Sequence, residues 1–136
     1  MCNLYKDLSD AAAYIQVMAT DTASDAGTTT TNEPLHIDGA DQLDDVVNKY
    51  DLVLTDFYAD WCGPCQMLEP VVETLAAETD AAVAKVDVDA NQQLAQSYGV
   101  RGVPTLILFA GGEQVEEVVG VKGEDDLRAL IESYAE

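Results

Sequence analysis

The chain has 136 residues, of which 48% are hydrophobic, enough for one domain with a sizeable core. Its 26 acidic and 6 basic residues give a formal net charge of −20, which excludes ordinary nucleic-acid binding because that needs clustered Lys and Arg. No stretch approaches the roughly 20 apolar residues of a membrane span. The N-terminus lacks a basic region followed by an apolar core, so we expect no secretory signal.

The acidic residues are spread along the chain and do not form a tail. Such a surface repels itself at low ionic strength, whereas in molar salt the Debye length falls to about 3 Å and screens the repulsion. The composition therefore predicts a protein adapted to a salt-rich cytoplasm. An ordinary acidic protein is the alternative.

Residues 1–33 are predicted to form an N-terminal extension. Apolar residues recur at helical spacing from Leu4 to Ala19, which predicts a short amphipathic helix. The Thr-rich run of residues 20–33 is small, polar and without periodicity, as is typical of a linker. Cys2 has no companion cysteine nearby, and we interpret it as incidental. The folded domain is expected to span residues 34–136.

From Pro34 onward, strand and helix patterns alternate along the chain. The predicted strands are residues 35–37, 52–58, 82–88, 105–109 and 114–119. The predicted helices are residues 40–49, a segment that follows the cysteine motif and ends at 78 with a kink at Pro70, residues 92–98 and residues 124–134. This order predicts an α/β fold, a central mixed five-stranded sheet flanked by about four helices on both faces.

The most informative motif is Cys62-Gly63-Pro64-Cys65, which lies between the predicted strand 52–58 and the helix that follows it. Residues three apart at the start of a helix are neighbours on one face. The partial positive charge of a helix N-terminus stabilises the thiolate of the first cysteine. This arrangement indicates a reversible dithiol/disulfide switch.

Two other interpretations of the motif fit the chain less well. Zinc requires four ligands, and the rest of the chain offers Cys2, His36 and scattered carboxylates but no second cysteine pair. A purely structural disulfide would gain little, because the loop that it closes is very short. The strand and helix on either side of the motif favour redox chemistry, with no metal.

The residues on either side of the motif extend the pattern into a family resemblance. Residues 34–136 resemble the thioredoxin family along their whole length, and thioredoxin is a known example of a Cys-x-x-Cys protein. The matching segments are residues 56–65 around the cysteines, residues 101–106 with the family's cis-proline, the turn at residues 109–113, and Val119-Gly120. Tyr58 stands where the family often has tryptophan.

The resemblance implies a reductase of protein disulfides that needs no cofactor beyond its own Cys62–Cys65 pair. Cys62 would be the more exposed nucleophile, and Cys65, more buried, would resolve the mixed disulfide. The implied partners are thioredoxin reductase and disulfide-containing proteins. The protein is expected to be a monomer and to act in the reducing cytoplasm. A thioredoxin-fold oxidase or isomerase, or a redox-inactive binding scaffold, is the alternative.

Two ionisable residues are expected to support the cysteines. Asp56 interrupts an otherwise apolar strand, so burial should raise the pKa of its carboxyl towards neutrality and let it accept the proton of Cys65. In the family arrangement Lys85 lies on the neighbouring strand and would modulate Asp56. A lysine at the surface, extended along the apolar strand, is the alternative for Lys85.

The family's substrate groove implies a flat apolar surface around Cys62. A cis peptide bond before Pro104 would place the backbone of Val103 opposite the cysteines, ready to pair with an extended substrate. The expected substrate-binding residues are Trp61, Gly63, Pro64, Val103, Pro104 and Gly120.

Overall fold

The structure, a computed structural model, describes residues 32–135. Within that range the chain forms five strands and four helices. They are β1 (Leu35–His36), α1 (Ala40–Lys49), β2 (Leu52–Tyr58), α2 (Gly63–Glu78), β3 (Ala82–Asp87), α3 (Gln92–Ser97), β4 (Thr105–Ala110), β5 (Glu113–Val119) and α4 (Glu124–Tyr134).

The strands form one mixed sheet in the order β1-β3-β2-β4-β5. β3 is parallel to both β1 and β2, whereas β4 is antiparallel to β2 and β5. β2 is central, and its residues 52–57 are all buried, which explains why it is apolar at nearly every position. The predicted α/β fold with a mixed five-stranded sheet is confirmed.

Side chains of β2 alternate between two apolar clusters, one on each face of the sheet. On the first face, Val53 and Phe57 pack with buried residues of α1 and α3. On the second face, Leu52 and Leu54 pack with α2 and α4. The α2 and α4 residues in that second cluster are Leu68, Val72, Leu75, Ala76, Leu127 and Ile131. Helices therefore cover both faces, as the sequence predicted.

The observed bounds differ from the predicted ones by one residue at several ends. Ile37 and Val88 fall just outside β1 and β3, although their N–H groups still donate to the neighbouring strands, to Lys85 O and Tyr58 O, both at 2.9 Å. Helix α2 continues through Pro70, and the kink expected there stays a prediction.

Most of the predicted extension lies outside the described residues, including Cys2 and the amphipathic segment. The boundary between residues 33 and 34 therefore stays a prediction. In the part of the chain that the structure describes, no helix is long and apolar enough to cross a membrane.

Candidate active site

The two cysteines of the motif lie at the start of α2 and are joined by a disulfide, with their Cα atoms 5.2 Å apart. Cys62 caps the helix from an extended backbone conformation, and Pro64 occupies the first turn, where a missing N–H leaves no hydrogen bond unmade. The backbone N–H of Cys65 donates to Cys62 Sγ at 3.2 Å. The helix N-terminus thus directs a hydrogen-bond donor at the first sulfur.

The predicted difference in exposure between the two cysteines is wrong, since each is only 4% exposed. Ala59 packs with both cysteines, and Tyr58, Val88 and Val103 close around them. Residues distant in sequence, Val88 and Val103, therefore help to bury Cys62. What distinguishes the two sulfurs is their surroundings: Cys62 Sγ accepts the amide hydrogen bond and lies 3.7 Å from Val103 O.

Asp56 lies on β2, six residues before Cys62, and is 2% exposed. It follows Leu54 by two residues on the strand, so its side chain lies on the same face as Leu54, the face that α2 covers. Burial is the largest influence on its carboxyl; together with the negative charge of Glu69 it raises the pKa of Asp56 from 3.8 to about 7, against the opposing effect of Lys85. Asp56 Oδ1 has no hydrogen-bond partner among the described residues. The predicted rise of this pKa is therefore confirmed.

Lys85 is paired in register with Asp56 across β2 and β3 and is 4% exposed, so the interpretation as a surface lysine is wrong. Val83, two residues earlier, packs on the α2 side, which places Lys85 on the same face as Asp56. Its ammonium forms an ion pair with Glu69 of α2 and lies 4.4 Å from the centre of the Tyr58 ring. Lys85 therefore has three groups around it: a strand carboxyl, a helix carboxylate and an aromatic ring.

The loop opposite the cysteines brings Val103, Pro104 and Gly120 together. The Val103–Pro104 peptide bond is cis, as the resemblance implied. The N–H of Gly120 donates to Pro104 O at 2.9 Å, and Gly120 has a positive φ of 93°. Nothing lies within 4 Å of the position that a Cβ would take at Gly63 or Gly120. Both glycines therefore border open space.

Trp61 is 70% exposed, and its indole Nε1–H donates to Asp89 Oδ2 at 2.8 Å. Val119 and Val121, on either side of Gly120, are also exposed, at 70% and 46%. Large apolar side chains are usually buried, so those left exposed around a redox pair are typical of a binding surface. Asp89 holds the Trp61 ring in one orientation.

Comparison with known proteins gives the same result for sequence and structure. The thioredoxin family model matches residues 35–133. The chain is 51% identical over 84 residues to the thioredoxin of Chlamydia muridarum, covering 61% of this chain and 82% of that protein. It is 71% identical to the structure of a mutant thioredoxin from Halobacterium salinarum, covering 81% of this chain and 97% of that one, with a TM-score of 0.78.

The chain belongs to the thioredoxin family. With the Cys62–Cys65 disulfide in place, it is a protein-disulfide oxidoreductase of the dithiol type. Thioredoxins use this redox-active disulfide and no external cofactor. The similarity to a thioredoxin of a halophilic archaeon agrees with the salt-adapted composition.

A second curated relative joins two activities in one chain. It is the bifunctional thioredoxin reductase/thioredoxin of Mycobacterium leprae, 43% identical over 104 residues. Those residues cover 75% of this chain and 22% of that protein.

In residues 32–135 of this chain, no group of three or more His, Cys, Asp or Glu side chains is arranged to hold a metal ion.

Sequence reasoning missed two residues of this site, Glu69 and Asp89. Glu69 follows Cys65 by four residues and so lies on the same face of α2, a spacing that could have identified it. Asp89 follows the end of β3 by two residues, and nothing in its position indicated a partnership with Trp61. His36, considered as a zinc ligand, lies exposed on the edge strand β1.

Proposed function

We propose that this protein reduces protein disulfides with Cys62 as the nucleophile and Cys65 as the resolving thiol. The Cys62 thiolate attacks one sulfur of the substrate disulfide, forms a mixed disulfide and releases the other sulfur as a thiolate. The Cys65 sulfur then attacks Cys62 Sγ, which releases the second substrate thiol and forms the Cys62–Cys65 disulfide. Two electrons pass from the cysteine pair to the substrate.

The hydrogen bond from the Cys65 backbone N–H to Cys62 Sγ is the observation that carries this assignment. A thiolate at Cys62 would keep this donor and the partial positive charge of the helix N-terminus, and both stabilise negative charge. Cys65 lies within the first turn, and its sulfur has no comparable donor among residues 32–135. The order of attack therefore rests on charge stabilisation and not on exposure.

Asp56 is the proposed proton acceptor for Cys65. Attack by Cys65 requires its thiol to lose a proton, and a general base works best when its pKa is near the working pH. The pKa of the Asp56 carboxyl, raised to about 7, satisfies that condition near neutrality. Lys85, in register with Asp56, supplies the positive charge that keeps the carboxylate form accessible.

Substrate is proposed to dock against the exposed surface around Cys62. The backbone carbonyl of Val103, 3.7 Å from Cys62 Sγ, is the candidate acceptor for an extended peptide. Gly120 borders open space, and its N–H fixes the Pro104 carbonyl. The proposed docking surface comprises Trp61, Gly63, Pro64, Val103, Pro104 and Gly120.

The oxidised pair must be recharged, and we propose a thioredoxin reductase as the electron donor. The bifunctional relative of Mycobacterium leprae, which carries both names in one chain, supports this partnership. A dithiol that is continually reduced suits a compartment in which protein thiols are kept reduced, so the proposed compartment is the cytoplasm. The proposed acting form is a monomer.

Single-cysteine variants test the assigned roles directly. Cys65→Ser should accumulate mixed disulfides with protein targets through Cys62, because nothing resolves them. Cys62→Ser should accumulate almost none. Equal trapping by the two variants would overturn the assignment. Reduction of insulin and a redox titration of the dithiol, run in parallel, separate a reductase from an oxidase or a redox-inactive scaffold.

A further inference from the structure

The Lys85 ammonium is buried with two carboxyl groups near it, one on the sheet and one on a helix. Asp56 is its register partner on the adjacent strand, whereas Glu69 reaches it from α2. The ion pair that the structure records is with Glu69, and Asp56 Oδ1 has no hydrogen-bond partner in the described part of the chain. Glu69 of α2 therefore forms the ion pair with Lys85, although Lys85 lies next to Asp56 on the sheet.

The other neighbours of Asp56 cannot replace that cation. β4 presents Leu106 in register with Asp56, and α4 contributes Leu127 and Ile131 to the same apolar cluster. On its own strand, Tyr58 contributes a neutral ring that contacts the Lys85 ammonium. Lys85 and Glu69 are therefore the charged groups that act on Asp56.

We propose that Glu69 is a positioning residue: it holds the Lys85 ammonium against α2 and so leaves the Asp56 carboxyl without a full countercharge. Two effects of Glu69 then act in the same direction. Its negative charge disfavours a second carboxylate nearby, and its ion pair withdraws the positive charge that would favour one. Each effect keeps the Asp56 carboxyl protonated to a higher pH than Lys85 alone would allow.

The inference rests on the proposed role of Asp56 only for its consequence in catalysis. In the unaltered protein, Glu69 would set the pH range in which Asp56 is free to accept the Cys65 proton. Glu69 is 40% exposed, whereas Lys85 is 4% exposed. Replacing the Glu69 carboxylate by an amide therefore changes a partly solvated side chain and leaves the apolar packing of α2 in place.

The test is a ¹³C NMR titration of the Asp56 carboxyl in the oxidised protein, in which Cys62 and Cys65 are joined in a disulfide and do not titrate. Glu69→Gln should move the titration midpoint of Asp56 to lower pH, by on the order of half a pH unit or more, because Lys85 then pairs with Asp56. Glu73→Gln is the matched control. It makes the same charge change one turn further along α2, at an exposed position, and should move the midpoint less.

A second arm examines the route through Lys85. In a Lys85→Met background the shift caused by Glu69→Gln should shrink, because no cation remains to be released. An undiminished shift would reduce Glu69 to a distant charge and overturn the positioning role. An unchanged midpoint in Glu69→Gln, or an equal shift in Glu73→Gln, would overturn the inference without the Lys85 variant.

Rates of disulfide reduction by Glu69→Gln separate this inference from the proposed function. If the titration midpoint of Asp56 and the midpoint of the pH–rate profile both move to lower pH, the positioning role of Glu69 and the proton-acceptor role of Asp56 both stand. If only the titration midpoint moves, Glu69 positions Lys85 as proposed but Asp56 is not the proton acceptor.

Discussion

The two faces of the sheet are built on different principles, although β2 contributes to both. Apart from the buried Thr55 hydroxyl, the face covered by α1 and α3 is apolar. There the Tyr98 ring packs against Phe57 in a tilted arrangement and against Phe109 edge to face, at centroid distances of 6.0 and 5.8 Å. The face covered by α2 and α4 is apolar around Leu54 but changes towards the carboxyl end of β2. There, Asp56 and Lys85 are buried beside each other.

The difference indicates where the molecule is built for stability and where it is built for chemistry. Burying an apolar ring stabilises the folded state, whereas burying a carboxyl disfavours its charged form. Asp56 lies near the carboxyl end of β2, the strand that leads to Cys62, so we assign its unfavourable environment to the site and not to the core. Replacing one residue on each face should therefore change stability in opposite directions.

Phe57→Ala should have the largest effect. The Phe57 side chain is fully buried on the apolar face, so its truncation leaves a cavity and should lower the free energy of unfolding by about 3–5 kcal/mol. Its ring neighbour Tyr98 stays neutral in this range, because burial and the charge of Asp44 raise the pKa of the Tyr98 hydroxyl above its usual value. The loss should therefore be the same from pH 5 to pH 9. Urea unfolding at several pH values measures it, and a loss that varies strongly with pH would contradict the assignment of Phe57 to an uncharged core.

Asp56→Asn should act in the opposite direction and depend on pH. The folded-state pKa of Asp56 is raised from 3.8 to about 7, so the folded state loses stability as pH rises through that interval. The loss amounts to on the order of 4 kcal/mol above pH 7, because each pH unit contributes roughly 1.4 kcal/mol. The asparagine variant should escape that loss.

The gain in stability of Asp56→Asn over the unaltered protein should therefore grow from pH 4 to pH 7 and then level off. Asp51→Asn, at an exposed position just before β2, is the matched control and should show no such growth. A constant difference between pH 4 and pH 9 would show that burial does not perturb Asp56.

Salt should affect the surface and leave the buried groups alone. Residues 34–136 carry 21 acidic and 5 basic residues, and screening of their repulsion should raise Tm by several degrees as potassium chloride approaches molar concentration. Removal of residues 1–33 should preserve most of this rise, because that segment has only five acids and one base. A flat response in both forms would remove the interpretation as salt adaptation.

Trp61→Ala should give the smallest effect and leave stability nearly unchanged, since the side chain is 70% exposed. Loss of an aromatic contact of about 1–2 kcal/mol should raise KM for a protein disulfide several-fold to about 30-fold. For a small disulfide that does not reach the docking surface, KM should stay the same. A fall in kcat with KM unchanged for both substrates would place Trp61 in the chemistry and not in docking.

The sequence was sufficient for the apolar and local parts of this account. The apolar run of β2 and the helical spacing of apolar residues in α2 are local patterns, so the fold and the position of Cys62 and Cys65 could be predicted. The equal burial of the two cysteines could not, because Val88 and Val103 reach the pair from elsewhere in the chain. The ion pair of Lys85 with Glu69 depends on which side chain of α2 reaches Lys85 on the face of the sheet. The spacing of Glu69 from Cys65 indicates its face of the helix but not its partner.

The most direct test of the central claim is the pH dependence of the resolving step. Single-turnover release of the second thiol from the Cys62 mixed disulfide isolates the attack by Cys65. In the unaltered protein the rate should rise with pH around a midpoint near 7, the pKa to which burial raises Asp56. In Asp56→Asn the rate near neutrality should fall and its rise should move to higher pH, where the Cys65 thiol ionises unaided. Superimposable profiles for the two proteins would contradict the role of Asp56.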